Sequence, residues 1–240
     1  MLQFPIDVCF VTKNSGSKLS GLEYLPVNHL IVETSKPLAL ARMRAIQKVT
    51  TEWFAFIDDD VRIGPDWYKQ VSTRVMPRVG AVCGRMTERG LGVSWDKAVN
   101  EQTGRIRQVT ELRRGERGYT HNTLLRTALV RDWMPSRDDL EAYEDYEIAQ
   151  HVLSKGFRWL VVPDVNAWHE KTWMRVWHNV IWGVEHQAKI TSTRRILRQF
   201  LRTLFQIPHV LLAPNLNLRV KVYSIFRKLA LLWGTIRALR

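Results

Sequence analysis

Up to about residue 170 the chain alternates short apolar runs with stretches of helical periodicity. Ile6 to Thr12, His29 to Glu33, Trp53 to Ile57, Val79 to Cys83 and Arg158 to Val162 read as strands, because they are short, rich in β-branched and aromatic residues, and bounded by polar or turn-forming positions. Between them, apolar positions three and four residues apart predict helices near 37–49, 65–76 and 143–155. Such alternation predicts an α/β sheet with helices on both faces.

After His169 the strand signals stop and helical periodicity takes over. Ile196, Leu197, Phe200, Leu201 and Leu204 oppose Arg195, Arg198 and Arg202. Further on, Val222, Ile225, Phe226, Leu229, Leu232, Trp233 and Ile236 share one face, with Lys221, Arg227 and Lys228 off it. Pro208 and Pro214 predict a hinge between these two amphipathic helices. The expected organisation is an α/β domain over 1–170 and a basic amphipathic helical segment over 171–240. No repeat, low-complexity stretch or Gly/Ser linker separates them, so the segment is expected to pack beside the α/β body.

Composition narrows the class. At 240 residues, 45% hydrophobic and 25% charged, the chain can bury a sizeable core, which excludes a disordered, collagen-like or disulfide-scaffold protein. Cys9 and Cys83 lie in apolar runs without metal-binding spacing, and read as reduced core residues of a cytosolic protein. There is no signal-peptide pattern, and no apolar run approaches the roughly 18 to 20 residues of a membrane span, so neither secretion nor a transmembrane anchor is expected.

The net charge of +13 is concentrated in the C-terminal segment, where thirteen Lys/Arg stand against the single acid Glu185. Helices with bases on one side and Trp, Phe and Leu on the other suit the interface of an anionic bilayer, placing the protein peripherally on the cytoplasmic face of a membrane. The bland alternative is that the apolar faces cover the body or form a homo-oligomer interface, with the bases merely solvated. Nucleic-acid binding is the least favoured reading, because the aromatics of the segment fall with the aliphatics and not among the bases.

The chemistry is concentrated in two acidic sites. Trp53 to Ile57 reads as a buried strand, and Asp58, Asp59 and Asp60 follow its carboxyl end, where open α/β sheets place their ligands. In an extended segment alternate side chains share a face, so Asp58 and Asp60 can meet a divalent ion together while Asp59 points elsewhere. A solvated acidic turn before Gly64-Pro65 is the alternative. The second site is Glu144 and Asp145 in the first turn of the predicted helix, where acids also serve simply as macrodipole partners. Lys155 and Gly156 mark the end of that helix, and the strand Phe157 to Val162, Pro163-Asp164 and His169 follow.

This order of motifs resembles the family 2 glycosyltransferases of the GT-A fold. The resemblance covers roughly residues 5 to 170 and implies a Rossmann-like mixed sheet flanked by helices. It implies that Asp58, Asp59 and Asp60 contain the DxD-type site for a divalent metal, Mn²⁺ or Mg²⁺, and for the diphosphate of a UDP- or GDP-linked sugar. The position of Asp145 is that of the family's catalytic base, with Glu144 beside it on the acceptor side, and His169 matches a further metal contact. The strand ending at Thr12-Lys13-Asn14 resembles the family's first strand and nucleotide-binding loop, although the usual proline before Thr12 is missing. Glu33 stands where an aspartate commonly reads the base. Ala41-Arg42-Met43-Arg44-Ala45 resembles the ARNxG segment, with Met43 for Asn and Ala45 for Gly, and places Arg42 near the phosphates. His121 falls in an acceptor-side strand and turn.

The implied activity is inverting transfer of a sugar to a hydroxyl or phosphate, on a lipid-linked or polysaccharide acceptor at a membrane surface. Inversion follows from a single displacement, since no second placed nucleophile argues for retention. Two other classes compete with it. A sugar nucleotidyltransferase also uses paired carboxylates and a metal, but calls for a Gly-rich basic loop of which Asn14-Ser15-Gly16-Ser17-Lys18 is a faint version. A basic nucleic-acid-binding protein is supported only by the C-terminal charge.

Overall fold

The computed structural model describes residues 4–12, 20–85, 87–89, 109–163, 165 and 167–240. Lys13, Asn14 and the Ser15 to Lys18 loop, Asp164 and Asn166 lie outside the described residues. The chain forms two compact units, one of residues 1–86 and 107–169, the other of residues 87–106 and 170–240.

The first unit is built on strands β1 (Ile6–Val11), β2 (Val27–Glu33), β3 (Trp53–Ile57), β4 (Val61–Ile63), β5 (Val79–Gly84), β7 (Thr110–Glu111), β8 (Asn122–Arg126), β9 (Arg158–Val162) and β10 (Ala167–Glu170). Strand β6 is Thr87–Arg89. Seven strands make one mixed sheet in the order β2-β1-β3-β8-β5-β9-β7. Strands β1 and β3 run parallel, with Val8 beside Ala55, while β8 is antiparallel to both β3 and β5. Every residue of β1, β3 and β5 is buried, the condition under which strands read as unbroken apolar runs. The exception is Asp7, whose carboxylate is met by Asn28, Thr50 and Thr51.

Helices α1 (Leu38–Lys48), α2 (Trp67–Ser72), α3 (Thr127–Val130) and α4 (Glu144–Ser154) belong to this unit. In α1 the buried residues are Ala39, Ala41, Arg42, Ala45 and Ile46, so Arg42 lies on the packed face of its helix. In α4, Glu144, Asp145, Ile148, Ala149 and Val152 are buried at helical spacing, which brings both acids inside with the apolar stripe. Gly156 ends α4 at φ +80, with its N–H donating to the Leu153 carbonyl at 3.1 Å.

Strand order positions the site. The carboxyl ends of β1, β2 and β3 lie along one edge, and antiparallel β8 brings its amino end to the same edge, with Asn122 opposite Ile57. Asn122 holds that corner by bonding Gly84 through both N–H and carbonyl, and a Cβ at Gly84 would collide with Val165 and Asn122. Strand β10 pairs antiparallel with β4, His169 lying opposite Val61, so the chain just after the Asp triplet fixes the position of His169.

The second unit contains α5 (Trp173–Ile190), α6 (Thr193–Leu212) and α7 (Leu218–Ala238). Each opens with a side-chain N-cap: Thr172, Ser192 and Asn217 accept the backbone N–H of Arg175, Arg195 and Val220. Val176, Val210, Leu216, Val220 and Tyr223 form its core. Pro208 does not break the chain as expected; α6 runs through it to Leu212, and the break falls at Ala213 to Asn217. An interior proline loses a hydrogen bond and strains the helix, and the buried Thr203 and Val210 on either side of Pro208 hold the helix across it. Phe226 is also turned inward, against Trp173 and Trp177, with ring centroids at 5.0 and 5.3 Å.

Candidate active site

Asp58, Asp59 and Asp60 do not form the extended segment that their spacing suggested. The Val61 N–H donates to the Asp58 carbonyl at 3.1 Å and closes a turn, so the three carboxylates fan out to three different partners. Asp58 Oδ1 accepts from Arg42 Nη2 at 2.8 Å, Asp59 Oδ2 accepts from Thr12 Oγ1 at 2.9 Å, and Asp60 Oδ1 lies 3.2 Å from His169 Nε2.

Arg42 ties the two acidic sites together. Its Nε donates to Glu144 Oε1 at 2.8 Å while Nη2 holds Asp58, and its guanidinium lies 4.8 Å from the centre of the Phe56 ring. The side chain is 3% exposed, and Nη1 makes no hydrogen bond among the described residues. Burial works against its charge, but Asp58 and Glu144 outweigh burial and hold the guanidinium protonated. Glu144, expected on the acceptor side, is instead buried and turned to Arg42. Burial pushes its carboxyl up to about 7; Arg42 and Arg117 pull it down, and the charge of Asp145 adds to the rise.

Asp145 is one residue further into α4 and meets Arg117, whose Nε lies 2.9 Å from both carboxylate oxygens. Tyr143 and Tyr119 carry that guanidinium, at 4.4 and 5.5 Å from their ring centres. Tyr143 sits at φ 74, a left-handed conformation that a bulky side chain adopts only where its surroundings enforce it. Neither Arg117 nor the two tyrosines is legible in sequence: Arg113-Arg114-Gly115-Glu116-Arg117 has the composition of a solvated loop. The available signal was chemical, the need of a buried Asp145 for a cation.

His121 gives its carbonyl to the Asp58 N–H at 3.2 Å, and its ring lies between Tyr119 and His169, at 5.3 and 5.2 Å. Glu33 stands at the carboxyl end of β2 with Oε2 on Lys48 at 2.8 Å and Oε1 accepting the Ser35 N–H at 3.0 Å. Burial would raise its carboxyl, but these bonds prevail and hold it at about 2. The structure thus joins Arg42 to Asp58 and Glu144, Thr12 to Asp59, and Asp60 to His169 as three separate contacts around the turn, and places Glu33 on a further pair with Lys48.

Among the described residues no group of three His, Cys, Asp or Glu side chains converges as a metal-ligand set. Asp60 and His169 nevertheless place an oxygen and a nitrogen donor side by side, a pair that suits Mn²⁺ better than the oxygen-seeking Mg²⁺ when substrate oxygens complete the shell.

A model of the family described as Glycosyl transferase family 2 matches residues 10–133, more than half of the chain. The chain belongs to this family. It is therefore a glycosyltransferase. Its mixed seven-stranded sheet flanked by helices is the GT-A fold. Among solved structures, the mannosyltransferase PcManGT from Pyrobaculum calidifontis, in complex with GDP-Man and Mn²⁺, is 14% identical at a TM-score of 0.52, covering 98% of this chain and 73% of that one. S. aureus TarS 1-349 in complex with UDP-GlcNAc is 14% identical at a TM-score of 0.47, covering 75% of this chain and 66% of that one. A197 from STIV is 15% identical at a TM-score of 0.47, covering 70% and 86%. No curated protein matches the chain.

Proposed function

We propose that this family 2 glycosyltransferase transfers a sugar, with inversion, from a UDP- or GDP-linked donor to a hydroxyl or phosphate acceptor. The observation that carries the reading is the Arg42 bridge, in which one buried guanidinium joins Asp58 at the end of β3 to Glu144, the neighbour of Asp145. One donor-side carboxylate and the immediate neighbour of the candidate base, far apart in sequence, thereby share one guanidinium. GDP-Man and Mn²⁺ in the fold relative support a nucleotide-sugar donor and a divalent ion.

In this reading Thr12, Asp58 and Asp59 line the nucleotide side, Glu33 at the end of β2 marks the base side, and Arg42 holds their geometry. Asp60 and His169 would hold the ion, which when bound neutralises charge on the departing diphosphate. Asp145 takes the proton of an attacking hydroxyl, or orients a phosphate that needs no base, while Arg117 fixes the plane of its carboxylate. His121 lies on the acceptor side. One displacement inverts the anomeric centre. The basic helical segment suggests an acceptor that is lipid-linked or part of a polysaccharide, met at the cytoplasmic face of a membrane.

A thermal-shift series with UDP and GDP, alone and with Mn²⁺ or Mg²⁺, tests the donor, since a ligand that binds the native state raises its melting point. A rise with one nucleotide that grows with metal is expected. No response to either nucleotide, with or without metal, overturns the reading. Retention of anomeric configuration in the product overturns the inverting step.

A further inference from the structure

We propose that helix α6 docks in the plane of an anionic lipid bilayer, inserting the stripe Leu197, Leu201, Leu204, Phe205 and Leu212 and setting Arg195, Arg198 and Arg202 against the headgroups. The helix has two apolar faces and uses only one of them. Ile196, Thr203 and Val210, seven residues apart, are its buried positions. At about 100° per residue the leucine stripe lies well around the helix from that line. It is bare: Leu201 is 46% exposed, Phe205 70% and Leu212 79%. A helix packed by one face ordinarily presents polar residues elsewhere, so a second, uncovered apolar stripe calls for an apolar occupant.

The arginines identify that occupant. Arg195, Arg198 and Arg202 are exposed and follow the edge of the stripe, and no Asp or Glu occurs after Glu185. The partner must therefore be apolar and anionic at once, on adjoining strips. A bilayer interface meets both requirements, with acyl chains beneath a layer of acidic headgroups. A second copy docked through the same face would set arginine beside arginine with no acid to offset it. No described helix is long and apolar enough to cross a membrane, and the arginines along α6 favour an orientation in the plane. Helix α7 repeats the pattern more weakly, with Leu218 at 77%, Val222 at 50% and Trp233 at 46% exposed.

Docking of this kind deepens the membrane-side acceptor proposed above and rests on that reading for its purpose; the surface itself stands on exposure and charge. The test is co-sedimentation of the full chain with vesicles of phosphatidylcholine containing phosphatidylglycerol, against phosphatidylcholine alone. The protein is expected to bind the anionic vesicles and to release as salt rises. L201S/F205S should weaken binding at least about tenfold even at low salt, because the apolar contribution is lost independently of charge. R198Q/R202Q should remove most of the preference for anionic vesicles. In both variants the melting point and its shift with nucleotide and Mn²⁺ should match the parent, which separates failure of docking from failure of the donor reading. Equal binding to both vesicles, no binding to either, or unchanged binding by L201S/F205S overturns the proposal. So does a lower melting point in L201S/F205S, or conversion of a dimer to a monomer, since the stripe would then be an internal or inter-copy contact.

Discussion

Arg117 presents Nε to both carboxylate oxygens of Asp145, at 2.9 Å from each, across 28 positions of sequence. A single N–H shared between two oxygens fixes the plane of the carboxylate, and the tyrosine rings over the guanidinium limit its swing. The first turn of α4 sets the backbone of Asp145, and Arg117 sets the direction of its side chain.

Asp145→Asn should therefore leave nucleotide binding near the parent value and lower turnover by roughly 10² to 10⁴, the usual share of a general base. The amide keeps the shape and loses the proton acceptor. Calorimetric titration with nucleoside diphosphate and Mn²⁺ checks the first half, and initial rates check the second. Undiminished turnover would mean that Asp145 only orients an acceptor that arrives already ionised.

Arg42→Lys should be costly in spite of conserving charge. An ammonium on a flexible stem cannot span Glu144 and Asp58 as the guanidinium does, and it leaves a carboxylate that is 3% exposed without its partner. Breaking one side of a buried pair costs about 3–5 kcal/mol, which lowers the melting point by roughly 10 °C in a chain of this size. Adding Glu144→Gln should recover part of the loss, because the orphan charge is then gone. A double variant no more stable than Arg42→Lys alone would assign the cost to packing against Phe56 instead.

The strands were readable where burial on both faces forces an unbroken apolar run. Trp53–Ile57 and Arg158–Val162 have the ends that their sequence predicts, and the helix expected over 143–155 forms over Glu144–Ser154. Periodicity says which face is apolar and not what covers it. This is why Phe226 could be assigned to the same stripe as Trp233, whereas the fold packs the first on Trp173 and leaves the second 46% exposed. In the site, residue types were legible and contacts were not. Asp58 and Asp60 are two apart in sequence, but a turn sends one to Arg42 and the other to His169. Which partner each meets depends on β8 lying antiparallel between β3 and β5 and on β10 pairing with β4, long-range choices that no local window contains.

Asp60→Ala should abolish the metal-dependent part of nucleotide binding, since His169 would lose the oxygen donor beside it. His169→Ala should weaken the same part less, because the carboxylate carries the charge that attracts the ion. Stability should change little in either, Asp60 lying in a run of three acids where one fewer negative charge relieves repulsion. Titrations of nucleoside diphosphate with and without Mn²⁺ decide the matter: if Asp60→Ala retains the full Mn²⁺-dependent increment, the ion is held elsewhere.

The other end of the sheet carries a pH dependence unrelated to catalysis. Asp7 is fully buried in β1, and burial alone would raise its carboxyl. Bonds from Thr50, Thr51 and Asn28 outweigh burial and hold it at about 2, below its ordinary 3.8. For an acid whose native value is depressed, the stabilisation is complete above the unfolded value and is lost as pH falls through the native one. Asp7→Asn keeps one acceptor oxygen and turns an amide toward donors that need an acceptor, so near neutral pH it should lose about 2 kcal/mol. The gap between parent and variant should be widest near neutrality and should close as pH falls from about 4 toward 2. Thermal unfolding of both proteins across that range measures it. A gap that stays constant down to the lowest pH would show that the Asp7 network holds its shape without depending on the charge.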